Sequence, residues 1–202
     1  SLAVIGAILI VCIISYAAVL HIRRYGKNGR TRTDRCRDVL GQWAQSRGIA
    51  FDEELMRIHG AVAGIDVLVS ATYDQIEWSL PPALMMSSIA SLPQPVVVQV
   101  GESWFALEEK IARYKVELDD ARFNSAFKTW SDPADGAQKL LTSEIRNHLI
   151  ELKPDELLYD RGVIEIRWED DFANSVEHSY RRLDCAFTVV STLCQGAVLD
   201  AA

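Results

Sequence analysis

The stretch Ile58-His-Gly-Ala-Val-Ala-Gly-Ile-Asp-Val-Leu-Val-Ser-Ala71 decides the class of fold. Apolar residues alternate with polar or small ones on both sides of Ala63-Gly64, which is the period-two pattern of two strands joined by a tight turn. Strands joined in this way run antiparallel. The stretch therefore predicts a β-hairpin within an antiparallel or mixed sheet.

Helical patterns frame this hairpin. Apolar residues at helical spacing predict a first helix over residues 34–47, which ends at Gly48. Thr142 is placed to cap a second helix, which Pro154 ends. The last helix is predicted to begin at a capping box formed by Asn174 and Glu177 and to end at Gly196. Three more helical segments are predicted: residues 103–112, a turn after Asp119 that carries Phe123 and Phe127, and a helix from Asp132-Pro133 toward Leu140.

Four further segments have the composition of strands: residues 75–80, 96–100, 115–118 and 163–168. Asp160-Arg-Gly162 predicts the turn before the last of them. Residues 84–92 fit a short helix or a loop, and this choice stays open. Because strands and helices do not alternate regularly, the prediction is one α+β domain over residues 34–202, with helices flanking an antiparallel or mixed sheet.

The first twenty residues predict a single transmembrane helix. Leu2 to Leu20 are apolar without interruption, and nineteen helical residues span roughly 28 Å, close to the hydrocarbon thickness of a bilayer. The rival is a cleavable signal peptide, which carries its charges before a shorter apolar core. The expected organisation is a transmembrane helix over residues 1–21, a basic juxtamembrane stem over 22–33 and the domain after it.

Charge predicts the orientation and excludes one class of ligand. Residues 1–37 hold seven Lys and Arg against one Asp, so they carry +6, and the net charge of −7 leaves −13 for the remainder. The positive-inside rule then places the domain in the cytoplasm, the N-terminus outside and the protein in the inner membrane. Nucleic acid is not expected as a partner of an acidic domain. Anionic lipid headgroups are expected to contact the basic stem through Arg23, Arg24, Lys27 and Arg30.

Several short patterns together resemble a family of membrane-anchored bacterial proteins whose shared cytoplasmic domain has no assigned function. They are Gly60-x-x-x-Gly64-x-x-Val67, the run from Val116 to Phe127, Asp132 followed by Leu140-Leu-Thr142, Leu149, and the strand Gly162-Val-Ile-Glu-Ile166. The resemblance covers roughly residues 58–168. It implies a cytoplasmic α+β domain behind one or two hydrophobic spans, and it implies no catalytic residues.

Catalytic and metal-binding motifs are absent from the sequence. There is no G-x-S-x-G, no glycine-rich phosphate loop, no C-x-x-C and no H-E-x-x-H. The cysteines are expected to be buried thiols, and the carboxylate run Glu169-Asp170-Asp171 is expected to form a solvated loop. We therefore predict no cofactor and no metal. The histidines, which would need to converge from distant elements to bind a metal, are His21, His59, His148 and His178.

Two classes of function remain. The preferred hypothesis is a non-enzymatic interaction or scaffolding module, membrane-anchored and cytoplasmic, that binds an unknown protein. Trp78 and Trp130 are its candidate contact residues, because both lie beside polar neighbours. The alternative is a membrane-tethered enzyme whose site is assembled across the fold. A histidine beside carboxylates in a closed cleft would favour the enzyme, and an apolar patch rimmed by charge would favour the module.

Overall fold

Nine strands form one antiparallel sheet in the computed structural model, which describes residues 33–72, 83–89, 96–102, 111–170 and 176–199. Their order across the sheet is β1-β2-β3-β4-β9-β8-β5-β7-β6, and every neighbouring pair is antiparallel. The strands are β1 (Ala50–Asp52), β2 (Arg57–Val62), β3 (Ile65–Thr72), β4 (Ala83–Ile89), β5 (Val97–Glu102), β6 (Tyr114–Val116), β7 (Phe127–Asp132), β8 (Glu156–Asp160) and β9 (Val163–Glu169).

The predicted hairpin is confirmed as β2 and β3. Val62 pairs with Ile65, so Ala63 and Gly64 form a two-residue turn. Both turn residues have positive φ, 52° for Ala63 and 81° for Gly64, which two-residue hairpin turns of type I′ require. Arg161 and Gly162 form a similar turn between β8 and β9, with φ of 50° and 93°, which confirms the second predicted turn.

Five helices lie in the described part of the chain. They are α1 (residues 33–47), α2 (Ala121–Ala126), α3 (Gly136–Leu140), α4 (Ser143–Leu152) and α5 (Val176–Leu199). The predicted cap of α4 is confirmed, because the Thr142 hydroxyl accepts from the Ile145 amide. Ile145, Leu149 and Leu152 then lie on the buried face of α4, as their spacing predicts.

These helices cover one face of the sheet. On β4, Ser88 lies 3.8 Å from the thiol of Cys194 on α5. On β7, Ser131 accepts a hydrogen bond from the Ala137 amide of α3. On this helix-covered face, strand residues such as Leu84, Met86, Ile164, Ile166 and Trp168 are fully buried. Because strand side chains alternate, the intervening residues point to the opposite face, which we call the second face.

The predicted architecture of a single-pass membrane protein needs correction. Within the described ranges, no helix is both long enough and apolar enough to cross a bilayer. The longest, α5, has 24 residues but carries Glu177, Arg181, Arg182 and Asp184 in its first half. The segment Leu2–Leu20 lies outside the described residues, and so do residues 22–32 of the predicted stem over 22–33. The described part of the chain has an α+β fold with an antiparallel sheet, and the predicted single-pass placement in the inner membrane is not supported.

Several element boundaries also differ from prediction. The sequence allows a short helix or a loop over residues 84–92, whereas residues 83–89 form strand β4 in the middle of the sheet. The segment from Phe127 is strand β7 rather than a helical turn, and β8 had no predicted counterpart. Helix α3 begins at Gly136, after Asp135 rather than Asp132, and α2 is capped by Asp120 rather than Asp119. Helix α5 continues beyond Gly196. The predicted strand at 75–80 and most of the predicted helix at 103–112 lie outside the described residues.

Candidate functional site

Helices α4 and α5 bring together three side chains that can bind a metal ion. His148 and Glu151 lie three residues apart on α4, so they share one face of the helix. Cys185 on α5 faces them, and one ligand atom from each residue lies within 4.8 Å of the other two. We call these three residues the His-Glu-Cys cluster.

The cluster lies where the helix layer meets solvent. Cys185 is 7% exposed, His148 is half-buried and Glu151 is exposed. The Cys185 thiol lies 3.8 Å from Nδ1 of His148 and donates to the His148 carbonyl at 3.2 Å. His148 therefore lies beside the carboxylate of Glu151, but at the protein surface rather than in a closed cleft.

Burial decides the state of the thiol. It raises the pKa of Cys185 to about 11, with a further contribution from the negative charge of Glu151 and an opposing one from Arg182. A thiol with such a pKa is protonated at neutral pH, whereas a nucleophilic cysteine needs its thiolate. The arrangement therefore offers ligand atoms rather than an activated nucleophile.

Arg182 fixes the position of α5 beside α4. Its guanidinium donates to the carbonyl of Leu152 at the end of α4 and to the carbonyl of Glu169 at the end of β9. It also lies 3.6 Å from the carboxylate of Asp170, which is buried and accepts from the Ser179 hydroxyl. Because these contacts hold both helices at one end, the spacing within the His-Glu-Cys cluster is set by the fold.

A second polar cluster joins α1 to α5. Trp43 is fully buried and its indole N–H donates to Asp184 at 2.9 Å. Arg47 donates to the same carboxylate and, at 3.1 Å, to the hydroxyl of Tyr180. The guanidinium carbon of Arg47 also lies 4.1 Å from the centroid of the Trp43 ring. With its polar groups paired in this way, the cluster serves packing.

On the second face of the sheet, an apolar pair lies at the ends of two central strands. Ile89 on β4 is 79% exposed and lies directly opposite Val163 on β9, which is 42% exposed. The same row continues through Asp160 on β8, Val97 on β5 and Asp132 on β7. We call this row the apolar row. Within this row, the carboxylates of Asp160 and Asp132 alternate with the apolar side chains of Val163 and Val97.

The structure separates the candidate residues predicted from sequence. Trp130 lies on β7 and is 7% exposed, so it would bring little surface to a partner. Trp78 and the four stem residues Arg23, Arg24, Lys27 and Arg30 lie outside the described part of the chain. Their contacts with a protein partner and with anionic headgroups stay predictions.

Sequence reasoning missed both the His-Glu-Cys cluster and the apolar row. The i,i+3 spacing of His148 and Glu151 on a predicted helix was an available signal for half of the cluster. Nothing in the sequence predicted that Cys185 faces them. Cys185 lies 37 positions after His148, and the two residues meet only where α4 packs against α5. The apolar row depends on the pairing of β4 with β9, and β4 was not predicted as a strand.

The fold defines an α+β protein with a nine-stranded antiparallel sheet whose described helices lie on one face. Among solved structures, the mycobacterial trehalose monomycolate transport factor A, TtfA, is similar to this chain, with a TM-score of 0.57 and 9% sequence identity. The match covers 80% of this chain and 93% of TtfA, and at this identity it shows the fold alone. No protein-family model and no curated protein matches the chain, so the predicted resemblance to a family of membrane-anchored proteins gains no support.

Proposed function

We propose that this protein is a non-catalytic interaction module that binds another protein through the second face of its sheet. The apolar row supports this proposal. Ile89 and Val163 expose apolar side chains at the ends of two central strands, and Asp160 and Asp132 stand in the same row. Apolar residues rimmed by charge are typical of protein-binding surfaces.

Charge indicates the chemistry of the partner. Residues 38–202 carry a net −13, and the acidic residues of the apolar row belong to this excess. A partner with an apolar anchor flanked by Lys or Arg would complement both features, and its association would be steered by charge. We infer that the partner presents a basic surface.

The likeness to TtfA suggests a setting for this module. TtfA is described as a transport factor, and a module that binds another protein would suit an accessory role in transport.

Site-specific photocrosslinking tests the proposal. A photoreactive residue at position 89 should form an adduct with a second protein in cells, and Asp160→Lys should reduce that adduct because it reverses the charge beside the anchor. Position 55 is the matched control, because Leu55 is 60% exposed but lies outside the apolar row. Adducts at position 55 and none at 89 would contradict the proposal, as would adducts at 89 formed only between two copies of this chain.

The second candidate function is an enzyme, and the His-Glu-Cys cluster is the observation that favours it. Three donors converge on one point beside solvent, which is where a substrate could reach them. If the protein is an enzyme, Glu151→Gln should abolish turnover while leaving the crosslink at position 89 unchanged. Glu151→Gln and Asp160→Lys therefore distinguish the two functions, because the first alters the His-Glu-Cys cluster and the second alters the apolar row.

A further inference from the structure

The His-Glu-Cys cluster has the composition of a transition-metal site. Thiolate sulfur, imidazole nitrogen and carboxylate oxygen are the three ligand types that proteins use for Zn²⁺. The thiolate discriminates against Mg²⁺ and Ca²⁺, which prefer oxygen ligands alone. The donor set therefore points to zinc or an ion of similar preference.

The distances suit tetrahedral coordination after small side-chain movements. With Zn–S of about 2.3 Å and Zn–N of about 2.0–2.1 Å, the sulfur and nitrogen of a tetrahedral site lie about 3.6 Å apart. The distance from Sγ of Cys185 to Nδ1 of His148 is 3.8 Å. All three ligand atoms lie within 4.8 Å of one another, and Glu151 is exposed, so rotation of its side chain can bring the carboxylate closer.

The charged side chains next to the cluster are bound to other groups, so they do not occupy its ligand atoms. The carboxylate of Asp184 is engaged by Trp43 and Arg47, and the guanidinium of Arg182 is engaged by two backbone carbonyls and Asp170. Binding of a divalent ion would displace the Cys185 thiol proton to solvent, and the resulting thiolate together with one carboxylate would neutralise the ion. Three protein ligands would leave the fourth tetrahedral position to water, as in open zinc sites.

We propose that His148, Glu151 and Cys185 form a binding site for Zn²⁺ that joins α4 to α5. The ligands come from two helices, so the ion acts as a crosslink within the helix layer. Metal bound only by the folded state raises its stability by mass action. This inference is independent of the proposed interaction surface, which lies on the other side of the sheet.

Titration of the purified protein with Zn²⁺ and Co²⁺ tests the site. We expect one equivalent of Zn²⁺ to bind by calorimetry and to raise the melting temperature, and Co²⁺ to give the absorption of a tetrahedral, thiolate-bound ion. Glu151→Gln and His148→Gln should each weaken Zn²⁺ binding at least tenfold, and Cys185→Ser should remove the charge-transfer absorption of the Co²⁺ form. Circular dichroism checks that each variant is folded.

Matched controls decide between a built site and a single reactive thiol. Glu144→Gln changes an exposed carboxylate in the first turn of α4, and Cys194→Ser removes another thiol of α5, so both should bind Zn²⁺ as the unaltered protein does. Absence of Zn²⁺ binding would overturn the proposal. Loss of binding in Cys185→Ser with unchanged binding in both Glu151→Gln and His148→Gln would also overturn it, because one thiol would then suffice.

Discussion

At the scale of single residues, folding removes the phenol hydroxyl of Tyr159 from water without an offsetting hydrogen bond among the described residues. Its side chain is fully buried on β8, and its hydroxyl has no hydrogen-bond partner in the described part of the structure. Burial raises its pKa to about 12, with a smaller contribution from the Cys194 thiol. A buried hydroxyl without a partner costs about 1–3 kcal/mol relative to an apolar isostere.

We therefore expect Tyr159→Phe to raise the free energy of unfolding by about 1 kcal/mol at neutral pH. The folded state holds the phenolic proton more tightly than the unfolded state, so the unaltered protein loses stability as pH rises from about 10 toward about 12. The variant has no such proton, and its advantage should grow across this range. Urea denaturation at several pH values measures both effects.

Tyr114→Phe is the control for this comparison, because Tyr114 is 44% exposed. Its free energy of unfolding at neutral pH should differ from that of the unaltered protein by less than about 0.5 kcal/mol, as for other surface substitutions. A loss of stability in Tyr159→Phe, or an advantage that does not change with pH, would contradict the assigned environment.

At the scale of elements, Asp184 on α5 is the acceptor that two side chains of α1 share. Asp184 accepts from the buried indole of Trp43 and from Arg47. Trp43 also meets Phe187 edge to face, with ring centroids 6.1 Å apart. These polar contacts therefore fix the orientation of α1 relative to α5 more specifically than apolar packing alone would.

Asp184→Ala should lower the free energy of unfolding by about 1–3 kcal/mol, because it leaves the Trp43 N–H buried without its acceptor. Asp135→Ala removes an ion pair with Lys139 whose side chains are both more than half exposed, and it should lower the free energy of unfolding less than Asp184→Ala does. Denaturant unfolding of the two variants gives the comparison. Equal losses would show that the Asp184 contacts are worth no more than a surface pair.

Elements with strong local signals were predictable, and those defined by tertiary pairing were not. The hairpin β2–β3 has alternation and turn residues in one stretch, and α4 has a cap, a period and a stop. Strand β7 was misread because Phe123 and Phe127 have helical spacing, while its buried Thr129 and Ser131 are polar. Ser131 is buried where α3 packs on the strand, because the Ala137 amide of α3 donates to its hydroxyl.

At the scale of the whole molecule, position in the sheet should decide local stability. Strands β4, β9 and β8 each have two neighbours and carry fully buried residues under the helices, whereas β1 and β6 each have one neighbour and three residues. Local opening is governed by the number of paired and buried groups.

Hydrogen exchange should therefore be slowest in β4, β9 and β8 and fastest in β1 and β6 among the described strands. Mass spectrometry of peptides that cover each strand measures this order under native conditions. Exchange in β4 as fast as in β1 would contradict the central position of β4.

The pairing of β4 with β9 also bears on synthesis at the ribosome. Strands β1 to β4 can pair as a meander as soon as they emerge, but β4 keeps an unpaired side until residues 163–169 have been translated. At about 5–20 residues per second this takes roughly 4–15 s. Nascent chains thus expose the edge of an apolar strand for seconds, and a cellular chaperone that shields such edges would improve the yield of folded protein.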